Sequence, residues 1–216
     1  MNRAERRQVT PSRAEREAAA KRRQVAIYAS LAVLAVVLIV TVAVMSRVPK
    51  TASDAPITAG ISVGQTAPTF SVSTTAGPFD LANNGGKPTL LEVFATWCPH
   101  CQHEVPVMNR LYASYKGKVN VVGVEGSDRA MDNESNASQA DMMTFVQKLG
   151  VTYPVAYDPD LTVAKAYLQS GYPTVVLIGA NHKILSIGGG ELPEAGIRAA
   201  LDAVLAGKTP SPTLGT

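Results

Sequence analysis

The two cysteines of this chain, Cys98 and Cys101, directly follow an apolar segment. Residues 90–95 are nearly all apolar, which is typical of a strand buried on both faces of a sheet. A helix that begins at or just before Cys98 would direct unpaired backbone N–H groups at this sulfur and favour its thiolate. Cys101 lies three residues later, on the same helix face, and can close a disulfide with Cys98. The sequence therefore predicts a strand-to-helix turn that carries a reactive dithiol.

The N-terminal part of the 216-residue chain has the pattern of a membrane anchor. Residues 1–23 are basic, and residues 24–46 carry no charge and are long enough to span a hydrocarbon core of about 30 Å as a helix. This charge distribution predicts a cytoplasmic tail that contacts anionic lipid, one transmembrane helix and an exported C-terminal part. The alternative is a cleavable signal peptide, whose apolar region is usually shorter, at about 7–15 residues.

The rest of the chain is predicted to contain a linker over 47–61, a folded domain over 62–208 and a flexible tail over 209–216. Strand-like and helix-like segments alternate through the domain, and glycines mark several of their ends. This alternation predicts an α/β fold, with a central sheet and helices on both of its faces.

Charge and compartment limit the function. Residues 50–216 carry 11 Lys and Arg against 14 Asp and Glu, a net charge of −3, so we expect no nucleic-acid partner. Outside the cytoplasm a cysteine pair can be a dithiol or a disulfide. A purely structural disulfide is disfavoured, because closing so short a loop stabilises the fold little.

The segment Phe94-Ala95-Thr96-Trp97-Cys98-Pro99-His100-Cys101, with Gly171-Tyr172-Pro173-Thr174 downstream, resembles the thioredoxin fold. The anchor, the linker and the polar insertion at 126–139 make the chain most similar to the membrane-anchored TlpA/ResA-type thioredoxins. The resemblance covers residues 62–207. It implies a central mixed sheet flanked by helices and a thiol–disulfide oxidoreductase without a cofactor. Its partners would be exported cysteine-containing proteins and a membrane electron donor or acceptor.

The resemblance also implies roles for individual residues. Cys98 would attack a partner disulfide, and Cys101 would resolve the mixed disulfide, so that the redox-active disulfide is Cys98–Cys101. Glu92 matches a buried acid that relays a proton to the second cysteine, and the alternative is a surface-facing glutamate. Pro173 matches the cis-proline of the family, with Tyr172 beside it to pair with substrate; the alternative is a trans proline.

Four further residues are expected to tune the site. Trp97 would flank the first cysteine, and Pro99 suits the first helical turn. His100 can stabilise a thiolate, which makes a dithiol more oxidising. Glu104 matches an acid near the active site of ResA-like proteins, although on a helix it could equally be solvated. The Pro-His dipeptide matches the oxidant DsbA, so a DsbA-like oxidant of folding proteins is the alternative to a reductase, for example of apocytochrome c.

Other chemistries are less well supported. His100 and His103 lie near the cysteines, but a structural zinc site normally needs four ligands from two knuckles. Copper delivery would need a distant histidine, for which His182 is the candidate. Covalent haem attachment requires a histidine directly after the second cysteine. Gln102 stands there instead, which excludes covalent haem. A peroxidase of the peroxiredoxin kind would need other residues than Leu91 and Ala95. A tethered binding module without catalysis is the remaining class.

Overall fold

The computed structural model describes residues 60–215. The predicted basic tail 1–23 and anchor 24–46, and nearly all of the predicted linker, lie outside these described residues. Between residues 60 and 215, no helix is long and apolar enough to cross a membrane.

The described part of the chain alternates strands and helices, as predicted. Its strands are β1 (Ser71–Thr74), β2 (Gly77–Asp80), β3 (Thr89–Phe94), β4 (Asn120–Glu125), β5 (Val155–Tyr157), β6 (Thr174–Ile178) and β7 (Ile184–Gly189). Its helices are α1 (Pro99–Tyr115), α2 (Gln139–Leu149), α3 (Thr162–Tyr167) and α4 (Glu194–Leu205), and Leu81–Asn83 forms a short 3-10 turn.

The strands of residues 60–215 form one mixed sheet in the order β2-β1-β5-β4-β3-β6-β7. β3 runs parallel to β4, and β4 runs parallel to β5, whereas the other neighbours are antiparallel. All six residues of β3 are buried, because this strand has neighbours on both sides and helices over both faces. The predicted central mixed sheet is therefore confirmed.

Two apolar layers cover the sheet. Successive side chains of a strand point to opposite faces, and on β3 Leu90 and Phe94 pack in the layer that includes buried residues of α1, α2 and α4. Leu91 and Val93 pack in the other layer, with Val163 and other residues of α3. The residue between Leu90 and Phe94 is Glu92, which places a carboxyl group on the face covered by α1.

Residues 209–215 pack against β7, which differs from the expected flexible tail. The backbone N–H of Leu214 donates to the carbonyl of Ile187 at 3.0 Å, and the Leu214 side chain is buried. A Cβ at Gly196 of α4 would lie 2.7 Å from the Cα of Gly215, so a glycine is needed where the tail crosses the helix. The Pro/Ser/Gly composition of the tail did not predict this contact, because the contact depends on β7 and α4, which are not adjacent to the tail in sequence.

Candidate active site

The dithiol lies where β3 passes into α1. Cys98 is the N-cap of α1, and Pro99 occupies the first helical turn, where its missing N–H has no intrahelical acceptor. The Cys98 Sγ lies 3.5 Å from the carbonyl oxygen of Tyr172. Both cysteines are free thiols, and Cys98 is 5% exposed against 1% for Cys101. The sulfur of Cys98 therefore sits at the N-terminus of α1, beside the loop that precedes β6.

Cys101 is held as a thiol. Burial in the apolar layer under α1 raises the pKa of Cys101, and the nearby charge of Glu92 raises it further. A group in this state is a poor first nucleophile and needs a proton acceptor before it can attack. The two cysteines are thus placed in different environments, in the way that an attacking and a resolving thiol require.

Glu92 is a buried acid on the central strand, so the alternative of a surface-facing glutamate is wrong. It is 1% exposed, and on β3 it lies opposite Gly123 of β4 and Val175 of β6. Burial raises its pKa from 4.5 to about 8, although the hydrogen bond from Tyr153 lowers it. Its Oε2 accepts from the Tyr153 hydroxyl at 2.8 Å, and its buried Oε1 has no partner within residues 60–215. Near neutral pH such a group can both hold and accept a proton.

Gly123 makes room for this arrangement. A Cβ at Gly123 would lie 2.8 Å from Cε2 of Tyr153 and 2.9 Å from Cγ1 of Val155, closer than carbon atoms approach. The missing side chain lets the Tyr153 ring lie over β4 and reach the carboxyl of Glu92. A glycine in a buried strand often marks such a close approach.

Glu104 is also buried, so the solvated alternative does not apply. It lies in α1, 2% exposed, and its Oε2 accepts from the backbone N–H of Leu192 at 3.4 Å. Burial raises its pKa to about 7, the hydrogen bond from Leu192 opposes this, and the charge of Glu191 adds to it. The charge of Glu104 also contributes to the raised pKa of Glu92. The two acids are therefore electrostatically coupled.

The loop before β6 forms the other wall of the site. The Tyr172–Pro173 peptide bond is cis, as the resemblance implied. The rings of Tyr172 and Trp97 meet edge to face, with centroids 5.9 Å apart. The indole Nε1 of Trp97 donates to Ser127 Oγ at 2.7 Å, and the Tyr172 hydroxyl donates to the Gly126 carbonyl at 2.6 Å. Trp97 thus flanks the dithiol, and the end of β4 fixes both aromatic rings.

His100 contacts a carboxylate of the loop between β7 and α4. Its Nδ1 lies 2.7 Å from Glu191 Oε1, and Nδ1 of His103 lies 3.2 Å from the same oxygen. Both imidazoles are largely exposed. The hydrogen bonds from His100 and His103 lower the pKa of Glu191, so this group is a carboxylate at neutral pH. His100, one of the two residues between the cysteines, is therefore paired with a negative charge.

Comparison with known proteins places this site in a family. Residues 62–205, which include all of the site residues described above, match the family described as Redoxin. The chain belongs to the Redoxin family.

Several relatives and solved structures that the chain resembles are named as thiol–disulfide enzymes. The thiol-disulfide oxidoreductase ResA of Geobacillus thermodenitrificans is 31% identical over 146 residues, 67% of this chain and 79% of the relative. ResA of Bacillus subtilis is 30% identical over 151 residues, 69% and 79% of the two chains. Among solved structures, a Chlorobium tepidum protein provisionally named thiol:disulfide interchange protein DsbE has a TM-score of 0.59 and 28% identity. It covers 68% of this chain and 99% of its own. The predicted thioredoxin fold and enzyme class are confirmed: this Redoxin-family chain is a ResA-type thiol–disulfide oxidoreductase.

The rival metal sites do not assemble in the described residues. Within residues 60–215, no three or more His, Cys, Asp or Glu side chains are placed to hold a metal ion together. His182 lies in the turn after β6, at the opposite end of that strand from Pro173. The structure therefore does not bring His182 to the cysteines of this Redoxin-family site.

Sequence reasoning missed three residues of the site: Tyr153, Glu191 and Ser127. Gly123 was the available signal for Tyr153, since an isolated glycine in an apolar strand indicates close approach of another group. Glu191 and Ser127 lie in loops of ordinary polar composition, and no local pattern indicated them.

Proposed function

We propose that this oxidoreductase works as a membrane-anchored, extracytoplasmic reductase of disulfides in exported proteins, with the cysteines of apocytochrome c as a candidate substrate. The pairing of His100 with Glu191 is the observation that carries the reductive direction. The predicted anchor at 24–46 supports the location, and the ResA relatives support the class of reaction.

The direction depends on how strongly the reduced form is stabilised. A positive imidazole beside the Cys98 thiolate would stabilise the dithiol state and make the enzyme an oxidant. Here the Nδ1 of His100 faces Glu191 at 2.7 Å, so a carboxylate compensates the charge that His100 would otherwise present to the sulfur. The pKa of Cys101 is raised by burial and by Glu92, which further disfavours a thiolate pair. These contacts favour a strongly reducing dithiol.

The proposed cycle uses both thiols and one acid. The Cys98 thiolate attacks a substrate disulfide, which breaks as a mixed disulfide forms, and the departing substrate sulfur takes a proton from solvent. Cys101 then gives its proton to the ionised carboxyl of Glu92 and attacks the Cys98 sulfur. The second substrate sulfur leaves, and Cys98–Cys101 becomes a disulfide. Two electrons pass to the substrate, and a membrane electron donor must restore the dithiol.

The alternative is an oxidant that runs the same exchange in reverse. The Pro99-His100 dipeptide favours it, because these residue types in the same place make a dithiol oxidising in DsbA. Such an enzyme would need His100 to act on the sulfur, whereas the imidazole contacts Glu191.

Trapping in cells tests the proposed substrates. In the full-length chain, Cys101→Ser leaves the attacking thiol and removes the resolving one, so we expect mixed disulfides between Cys98 and exported cysteine-containing proteins. Cys98→Ser is the matched control and should trap none. The proposal fails if Cys101→Ser captures only cytoplasmic proteins, or if it captures no more than Cys98→Ser does.

A further inference from the structure

Glu125 is a buried acid that the thiol exchange does not use. It is the last residue of β4, and its side chain is 0% exposed. Its Oε1 accepts from the backbone N–H of Ser127 at 3.3 Å, whereas its buried Oε2 has no partner within the described residues. Buried polar atoms without a hydrogen-bond partner are rare in folded proteins.

The segment that starts at Glu125 carries both aromatic walls of the active site. We call Glu125, Gly126 and Ser127 the β4 platform. Ser127 Oγ accepts from the Trp97 indole at 2.7 Å, and the Gly126 carbonyl accepts from the Tyr172 hydroxyl at 2.6 Å. These two hydrogen bonds come from the residue before Cys98 and from the residue before the cis-proline. One short segment therefore contacts both sides of the dithiol.

The main chain of the β4 platform is tightly packed. The Gly126 N–H donates to the Phe94 carbonyl at 3.0 Å, which ties the platform to the end of β3. A Cβ at Gly126 would lie 2.7 Å from Cβ of Ala164 and 3.2 Å from Cγ1 of Val93. Since nothing larger than glycine fits between β3 and α3 here, a small shift of the platform is passed on to its neighbours.

We propose that Glu125 is a positioning residue whose protonation state sets the placement of Trp97 and Tyr172 beside Cys98. With its proton bound, the carboxyl accepts a weak, 3.3 Å hydrogen bond from Ser127, and the backbone of Thr96, the residue before Trp97, also acts on it. A carboxylate accepts a shorter and stronger bond. Ionisation would therefore draw the Ser127 backbone toward Glu125 and displace the hydroxyl that holds the Trp97 indole.

The surroundings of Glu125 place this change near physiological pH. Asp141 of α2 and Asp158 after β5 act on it as like charges, and Tyr157 and Tyr172 are the other titratable groups that sense its charge. Burial is the largest cause, and the two aspartates add to it, so that the pKa of Glu125 is raised from 4.5 to about 8. The group therefore keeps its proton at neutral pH and loses it under mildly alkaline conditions.

The chain offers a direct probe, because Trp97 is its single tryptophan. We would titrate Trp97 emission in the full chain carrying Cys98→Ala and Cys101→Ala, which removes the thiols that also titrate. The expected result is one transition near pH 8. It should be lost in Glu125→Gln and kept in Glu92→Gln, whose acid is equally buried but does not contact the platform. A transition that survives Glu125→Gln, or that vanishes with Glu92→Gln, overturns the proposal.

Ser127→Ala keeps the proposal testable if Glu125→Gln does not fold. This variant retains Glu125 and removes the acceptor of the Trp97 indole, so the Trp97 transition should lose most of its amplitude. An unchanged amplitude contradicts the coupling. In the cysteine-containing enzyme, KM for a disulfide peptide should rise through the same transition, and Glu125→Gln should abolish that rise. A KM profile unaltered by Glu125→Gln also overturns the proposal.

The proposal rests on thiol exchange at Cys98 and not on its direction. A DsbA-like reduction potential would contradict the proposed reductase and leave the role of Glu125 standing. Failure of the Trp97 titration would contradict the role of Glu125 and leave the proposed reductase standing.

Discussion

At the scale of single residues, burial sets the proton affinity of the acids around the dithiol. Glu92 and Glu104 have pKa values raised to about 8 and about 7, and in both cases loss of hydration is the main cause. An acid of this kind is a poor partner for a permanent ion pair and a good proton acceptor near neutral pH. Glu191 differs, because it is exposed and its imidazole partners lower its pKa.

The first prediction concerns the pH dependence of the resolving step. Only ionised Glu92 can accept the proton of Cys101, so the rate of resolution should rise with pH and level off above pH 8. Glu92→Gln should slow this step by about 100-fold, the lower end of general-base effects. Tyr153→Phe removes a hydrogen bond that lowers the pKa of Glu92, so its profile should shift to higher pH.

Stopped-flow exchange with a disulfide peptide between pH 6 and pH 10 measures these profiles. Tyr115→Phe is the matched control. Tyr115 lies at the far end of α1, and its hydroxyl donates to Asp202 and not to Glu92. Equal shifts for the two tyrosine variants, or a wild-type rate in Glu92→Gln, would rule out this role of Glu92.

The second prediction concerns Glu191 and His100. Glu191→Gln removes the charge that compensates His100, so the dithiol should become more oxidising and its reduction potential should rise. Glu194→Gln is the control, because Glu194 lies nearby but binds Arg110 and Arg198 instead. Equilibration of each variant with glutathione gives the potentials. Equal potentials for wild type and Glu191→Gln would show that Glu191 does not tune the site.

At the scale of elements, the order of the strands brings the site together. β3 lies between β4 and β6, so Glu92 has β4 and β5 on one side and the cis-proline strand on the other. Tyr153 reaches Glu92 from the chain before β5, across a strand that has glycine at the crossing point. The chemistry therefore depends on the missing side chain at Gly123 of β4 as much as on the side chains that are present.

Gly123→Ala tests that dependence and is the third prediction. The added methyl would overlap the Tyr153 ring, so we expect a loss of about 1–3 kcal/mol in the free energy of unfolding, as for overpacked cores. The resolving step should also shift to higher pH, because Tyr153 is pushed away from Glu92. Gly189→Ala in β7 has no contact nearer than 3.8 Å and should be close to neutral. Similar stabilities for the two variants in denaturant unfolding would contradict the proposed crossing.

At the scale of the whole molecule, local pattern predicted what depends on neighbours in sequence. The nearly all-apolar run around Glu92 indicated a buried strand, and Gly150, which has a left-handed conformation, ends α2. Contacts set by strand order were out of reach. Glu191 is 91 positions from His100, and Tyr153 is 61 from Glu92. No spacing rule links such pairs, because the sheet topology alone brings them together.

The fourth prediction is that the buried acids make the stability of the whole domain depend on pH. In the unfolded chain Glu92 ionises near its ordinary pKa of 4.5, whereas in the folded protein its pKa is about 8. The folded state thus binds the extra proton, and stability is lost as pH rises from 4.5 to 8, by up to about 1.4 kcal/mol per pH unit for this group. Glu92→Gln should remove that loss.

Denaturant unfolding of the reduced protein at pH 5, 6, 7 and 8 checks the trend, with the exposed Glu134→Gln as control. A difference between wild type and Glu92→Gln that stays constant over this range would contradict the buried, protonated carboxyl.

The reduction potential of the wild-type Cys98–Cys101 pair tests the central claim most directly. A reductase whose His100 is compensated by Glu191 should have a potential near that of thioredoxin, about −270 mV. The value can be measured by equilibrating the full-length protein with a thiol–disulfide redox buffer of known potential at pH 7. A value near that of DsbA, about −120 mV, would contradict the reductive direction and favour the oxidant.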